Sequence, residues 1–307
     1  MTRPPIRAVF LGTPEAAVPT LLALTKAAEV VAVITRPDRP RGRSARPMPS
    51  PVKQRSDELG IPVLQPDGAS ELSDVLESMD PLDVGVVTAY GSLIRTPALN
   101  STRRGFLNVH FSLLPRWRGA SPVAAALVAG DEEAGVTVMQ LDPGLDTGPL
   151  LAARPVVIGH DENAGALTAR LATLGAELLV EHLPGWVDGT LSVTAQPELG
   201  VTYAPKLSKA DRLLDPRKPA HALVRHIRAL APHPGAMLAL GEARLRILAG
   251  RSHDLDVPTG EITSIDGRVL TGTGEGALEL LIVQPPGKAS MAAAAWIRGA
   301  RLPARNE

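Results

Sequence analysis

The chain has no cysteine. That absence removes disulfides, thiolate-ligated zinc and cysteine nucleophiles together, and leaves the redox compartment open. Aromatic residues make up only 3% of 307 positions, so Leu, Val, Ile and Ala must fill the interior. No apolar run approaches the roughly 20 residues that span a bilayer. The N-terminal MTRPPIRAVFLGTPE is basic but lacks the apolar stretch and small-residue cleavage site of a signal peptide. The expected compartment is the cytoplasm, with no membrane partner. Formal net charge is zero, so attraction to a polyanion must come from a local patch. GxSxG, HExxH and P-loop motifs are absent, the turn at Gly12 lacks the full GxGxxG, and the seven histidines are scattered. Serine hydrolysis and zinc proteolysis are disfavoured, a dehydrogenase is a distant reading, and no metal site is expected.

What is present begins with a βαβ pattern. Arg7 to Leu11 is a short apolar strand ending at Gly12, a helix follows from Ala16 to Ala28, and Val30 to Ile34 reads as a buried strand. Such a unit implies an α/β, Rossmann-like, mostly parallel sheet with helices on its faces. Further strands are expected at Pro62 to Leu64, Asp83 to Tyr90, Phe106 to Phe111, Gly135 to Leu141 and Pro155 to Ile158. Helices are expected at Val52 to Leu59, Ala69 to Met79, Pro122 to Val128 and Asn163 to Leu183. Leu191 to Leu207 has no periodicity and reads as a surface linker. Beyond Ser208 come a helix over Ala220 to Leu230, five short strands between Ala236 and Val283, and a closing helix from Ser290 to Ala300. Five short strands separated by turn signals suggest a small β-barrel. At 307 residues there is room for both domains.

Two features carry chemistry. Asn108 and His110 are two residues apart in an apolar run, so they project from one side of one strand. The carboxamide can donate to a developing oxyanion, and the imidazole can move a proton. Asp146, in the glycine-flanked turn PGLDTG, follows the next strand and meets His110 if the two strands are neighbours. Each residue alone is more often structural; together, all three at the expected C-terminal ends of strands, where α/β sites lie, they point to acyl transfer. The second feature is Arg36 to Arg55, with Arg36, Arg39, Arg41, Arg43, Arg46, Lys53 and Arg55 against Asp38 alone, and five prolines. It reads either as a solvated loop or as a basic arm for nucleic-acid phosphate.

FLGTPE, TRPDRPRGR with MPSPVK, NVHFSLLPRWRGASP and MQLDPGLDTG resemble, in order and spacing, the methionyl-tRNA formyltransferases within the folate-dependent formyltransferase family. TYAPKLSK at 202–209 and LLIVQPPGKASM near the end are similar to that group's linker and C-terminal domain, so the resemblance covers nearly the whole chain. It implies a formyltransferase catalytic domain over 1–190, a linker over 191–207 and an OB-like, tRNA-binding β-barrel over 208–307. It implies formyl transfer from 10-formyltetrahydrofolate, as co-substrate, to the α-amino group of methionine on initiator Met-tRNA, by a monomer without metal. Asn108, His110 and Asp146 match the catalytic residues, with Asp146 orienting the imidazole and favouring its protonated form. Ser112, Leu113, Leu114 and Pro115 match the folate-binding segment; Val87, Ala89, Tyr90, Asp142, Gly144 and Leu145 are expected to line the pterin pocket. Gly42 and Arg43 match the loop inserted against the tRNA acceptor end, joined by Arg36, Arg39, Arg41, Arg46 and, near the linker, Lys206. Arg228, Arg244 and Arg246 either extend the positive path or form a solvated face. Phe111 stands where a glycine is common and is expected to reshape the pocket wall. A formyltransferase of small amines, such as sugar nucleotides or glycinamide ribonucleotide, is the nearest alternative. A non-catalytic RNA-binding protein is another.

Overall fold

A computed structural model of the chain describes residues 4–40 and 47–300. It divides into two compact units. The first comprises the chain up to Pro122 together with Glu133–Val157 and Thr168–Ala204; the second comprises Val123–Glu132, Ile158–Leu167 and the chain from Pro205 onward.

In chain order the strands of the first unit are β1 (Arg7–Gly12), β2 (Glu29–Ile34), β3 (Arg39–Pro40), β4 (Pro47–Met48), β5 (Val63–Leu64), β6 (Val84–Thr88), β7 (Phe106–His110), β8 (Arg118–Gly119), β9 (Glu133–Gln140), β10 (Leu150–Val157) and β11 (Tyr203–Ala204). Its helices are α1 (Val18–Ala27), α2 (Pro51–Glu58), α3 (Ala69–Glu77) and α4 (Thr96–Leu99). Next come α5 (Pro122–Ala129), mostly in the second unit, and α6 (Ala164–Asp188), mostly in the first. The central sheet has the order β10-β9-β7-β6-β1-β2-β5. Its β5-to-β7 part is parallel, with both faces covered, so β1 and β6 read as continuous apolar runs. The β7–β9 and β9–β10 pairs are antiparallel.

One face buries Phe10, Val86, Leu107, Val109 and Val138 beneath Leu179, Leu183 and Trp186 of α6. The other buries Val9, Leu11, Val87, Tyr90 and Phe106 with Leu72, Leu76 and Leu99. Gly85 is required beneath that second face, because a Cβ there would strike the Phe106 ring. Helix α6 runs past Pro184, where the sequence suggests an end. A proline inside a helix costs about 3 kcal/mol. Burial of Leu183, Trp186 and Val187, at roughly 1.5–3 kcal/mol for each large side chain, offsets it. Strand β6 stops at Thr88 rather than Tyr90, because Ala89 turns to φ +47°.

The second unit contains α7 (Ala220–Leu230), β12 (Ala236–Leu240), β13 (Ala243–His253), β14 (Ile262–Ile265), β15 (Arg268–Gly272), β16 (Ala277–Gln284), β17 (Met291–Ala292) and α8 (Ala293–Ile297). Its antiparallel sheet has the order β12-β13-β16-β15-β14, with β17 added on β16. Register shifts near Ala249 bend β13. Leu223, Ile227 and Leu230 of α7 close the core over Leu245, Ile247 and Leu278. The closing helix is shorter than the sequence suggests, since Met291 and Ala292 join the sheet. Among the described residues no helix is long and apolar enough to cross a membrane.

Candidate active site

The site is built on the β7 face that carries Phe106. Asn108 and His110 continue that face, opposite Met139 and Thr137 of β9. Both are buried, at 9% and 6% exposure. The Asn108 carboxamide takes no protein hydrogen bond among the described residues, so its N–H donors are available to another oxygen. His110 is fixed at one nitrogen. Its Nε2 lies 3.0 Å from the Trp117 carbonyl, and because a carbonyl only accepts, Nε2 carries the proton. Nδ1 faces Asp146 Oδ2 at 3.7 Å, ion-pair range and too long for a hydrogen bond.

Asp146 reaches this place by an unexpected route. Because β9 runs antiparallel to β7, the end of β9 lies beside the start of β7, with Gln140 opposite Leu107. The expectation that all three groups sit at C-terminal strand ends is therefore corrected for Asp146. The 141–148 loop doubles back toward His110, and Asp146 adopts φ +52°. Gly119 N donates to Asp146 Oδ2 at 2.8 Å. Gly119 itself sits at φ +117°, and a Cβ there would lie 2.7 Å from the Ala204 carbonyl oxygen. Ala89, Trp117 and Asp146 hold three of the four positive-φ positions found at non-glycine residues among those described, and all three border this region. Such conformations persist where the surroundings enforce them.

The other residues singled out from sequence are placed as follows. Ser112 Oγ donates to the Arg116 carbonyl at 2.6 Å. Thr137 Oγ1 donates to the Ser112 carbonyl at 2.7 Å and accepts from Leu114 N at 3.2 Å. Leu113 packs over Gly135, Leu114 is buried, and the peptide bond before Pro115 is cis. Asp142 is taken up inside its own loop, accepting from Gly144 N at 3.1 Å and from Thr147 Oγ1 at 2.8 Å. Leu145 is 57% exposed beside Asp146. Val87 and Tyr90 are buried in the core cluster, and Ala89 is exposed. Burial pushes the Tyr90 hydroxyl above its ordinary value of 10.0, with the Arg36 charge opposing. A cavity of about 440 Å³ is lined by Leu99, Arg104, Gly105, Gln140, Asp142 and Trp186, among others. It touches the start of β7, and of the residues singled out it takes in only Asp142. Phe111 corrects another expectation: it packs on the opposite face, against the cluster holding Val109 and Val136, rather than in the wall that bears His110.

At the basic arm, Arg41, Gly42, Arg43 and Arg46 lie outside the described residues. The stem is a two-residue ladder between β3 and β4. Its base is pinned by Lys53, which contacts Asp38 at 2.9 Å and Gln65 at 2.8 Å. Arg36 Nη1 approaches the Gly91 carbonyl at 3.4 Å, while Arg39 and Lys206 are exposed. In the second unit Arg228 donates to the Glu162 and Gly159 carbonyls, and Arg246 to the Pro232 carbonyl and Gln284. Burial lowers the pKa of both guanidinium groups.

Sequence reasoning does not single out Trp117, Arg118, Gly119, Thr137, Gln196 or Thr202. Trp117, Arg118 and Gly119 fall within PRWRGASP, but Gln196 and Thr202 fall in the stretch read as a linker.

Residues 6–183 match the formyl transferase family, and residues 206–301 match the formyl transferase C-terminal domain. The chain belongs to the formyl transferase family. Among its relatives, the methionyl-tRNA formyltransferase of Halorhodospira halophila is 48% identical over 305 residues, covering 96% of this chain and 97% of that one. That of Methylococcus capsulatus is 46% identical over 293 residues, covering 94% and 95%. Among solved structures, the N-formyltransferase from Helicobacter canadensis, in complex with folinic acid and dTDP-3-aminofucose, has a TM-score of 0.69 at 15% identity, over 90% of this chain and 98% of that one. HypX from Aquifex aeolicus in complex with tetrahydrofolic acid has a TM-score of 0.65 at 16% identity, over 96% of this chain and 47% of that one. At these identities the formyl transferase fold is what is shared.

Proposed function

We propose that this chain transfers the formyl group of 10-formyltetrahydrofolate to the α-amino group of methionine on initiator Met-tRNA. The observation that carries the reading is the convergence of Asn108 and His110 of β7 with Asp146 of a separate loop, in a formyl transferase chain whose relatives over nearly its whole length are named methionyl-tRNA formyltransferase. The neutral amine attacks the formyl carbon and a tetrahedral adduct forms. Asn108 donates to its oxygen, where charge develops. With Nε2 held by the Trp117 carbonyl, Nδ1 is the nitrogen that takes the proton from the attacking amine and returns it to N10 as the C–N10 bond breaks. Asp146 faces Nδ1 and stabilises the imidazolium formed between those two steps. Val87, Ala89, Tyr90, Ser112 to Pro115, Asp142, Gly144 and Leu145 are assigned to the folate side. Of these, Tyr90, Leu114 and Ser112 act through the walls they build, since they are buried.

The tRNA side is assigned to Arg36, Arg39, Lys206 and the arm with Arg41, Gly42, Arg43 and Arg46. The small-amine alternative is less favoured. The relatives named for Met-tRNA reach 48% identity, whereas the sugar 3N-formyltransferase WlaRD structure shares 16%.

The deciding experiment is a formylation assay with 10-formyltetrahydrofolate and initiator or elongator Met-tRNA, run beside sugar-nucleotide amines. Transfer confined to small amines overturns the reading. Arg43→Ala should weaken tRNA use while leaving folate binding intact, and lower the slope of log affinity against log salt by about one unit. Loss of folate binding instead would remove the arm from the tRNA side.

A further inference from the structure

Gln196 lies in extended chain between α6 and β11, 50 residues from Asp146. Both ends of its carboxamide are filled. Nε2 donates to the carbonyl of Asp146 at 2.8 Å and to that of Gly148 at 2.8 Å. Oε1 accepts from Arg118 Nε at 3.1 Å and Nη2 at 2.7 Å. One end therefore grips the loop that carries Asp146. The other grips Arg118, which is 9% exposed and whose neighbour Gly119 donates to the Asp146 carboxylate.

The backbone around Gln196 repeats the connection. Thr194 exchanges two hydrogen bonds with Leu150, at 2.7 and 2.8 Å. Thr202 receives Arg118 N at its carbonyl, 2.9 Å, and Trp117 N at its hydroxyl, 2.9 Å. Strand β11 pairs in parallel with β8. The two oxygens that face the His110 ring, Trp117 O and Asp146 Oδ2, thus sit on two loops tied together by this one segment. Asp146 needs such a tie, because a residue with a side chain holds φ +52° only when its surroundings enforce it.

We propose that Gln196, with Arg118 as its partner, is a positioning residue that sets Asp146 against His110. The inference rests on the catalytic reading of His110 and Asp146 above. A glutamine that only fastened a surface segment would affect folding without touching the proton-transfer step. One that sets the carboxylate would affect that step through Asp146 alone.

The test is Gln196→Glu, which keeps the side-chain size and the acceptor for Arg118 but turns an oxygen toward two carbonyls. Single-turnover formylation should fall about 10- to 100-fold, as expected for a misplaced catalytic group, with KM for tRNA and folate within about twofold. In an Asp146→Asn background the same change should add less than about twofold, because the group it positions is already disabled. Rates within about twofold of wild type, a loss confined to KM, or a full extra loss in the Asp146→Asn background each overturn the inference. Should Gln196→Glu fail to fold, Arg118→Lys, which keeps the charge and loses the bidentate grip, is read by the same criteria. A wild-type chain that formylates no Met-tRNA defeats the functional reading instead. The inference is then decided by the ¹⁵N resonances of the His110 ring, which should shift in Gln196→Glu and overturn it if unmoved.

Discussion

Two histidine–carboxylate pairs occupy the two units and are built differently. His253 and Glu279 sit two residues off register across the β13–β16 ladder, where Arg251 is opposite Glu279, and their side chains meet at 2.6 Å. Nε2 and Oε2 satisfy each other directly, and the pair is held by one piece of local sheet. His110 and Asp146 stand 3.7 Å apart, with the carboxylate given to Gly119 N, the far ring nitrogen given to a carbonyl, and an unpartnered carboxamide two residues away. A pair closed on itself contributes to stability. A pair held open by separate loops leaves capacity for a substrate proton and oxyanion. A histidine beside a carboxylate is therefore poor evidence of chemistry until the other partners of both groups are known.

The contrast is most sharply broken at the ring itself. His110→Ala should cost about 10²–10⁴ in kcat, and Asn108→Ala about 10²–10³, both measured by single-turnover formylation. Near-normal rates in either would dissolve the distinction between open and closed pairs. Thr137→Val is next. It is isosteric and fully buried, but it unpairs the Ser112 carbonyl and Leu114 N, so urea unfolding should show a loss of about 1–3 kcal/mol.

Tyr90→Phe tests whether Tyr90 acts as a wall residue. The folded state holds the Tyr90 proton more tightly than the unfolded chain does, since burial raises its pKa above 10.0. The stability it contributes is complete below that value and is lost as pH climbs through the folded-state value. Wild type should therefore lose stability relative to Tyr90→Phe as pH rises past 10.0, and parallel curves would contradict this. The smallest effect is expected at the closed pair. His253→Gln should cost about 1 kcal/mol or less and leave kcat unchanged, so a fall in kcat there would show that the second unit's pair is not merely structural.

Much of the scaffold is legible in the residues. The βαβ start, the buried β6 run and the shared face of Asn108 and His110 follow from side-chain period, which is a local property of three to eight residues. Pro184 misleads because a local rule about the missing N–H meets a non-local gain from burying Trp186 and Val187. The short extent of β6 is likewise hidden, because nothing about an alanine at position 89 announces φ +47°.

The sequence by itself determined which groups of this formyl transferase are available for chemistry and that two of them share a strand face. Only the tertiary structure decided that β9 turns against β7, that the 141–148 loop therefore doubles back to bring Asp146 to His110, and that a stretch without periodicity supplies Gln196 and Thr202 to hold both loops. Periodicity records what one segment buries, whereas strand direction and loop return are set by partners dozens of residues away, whose contacts leave no pattern in the segment itself.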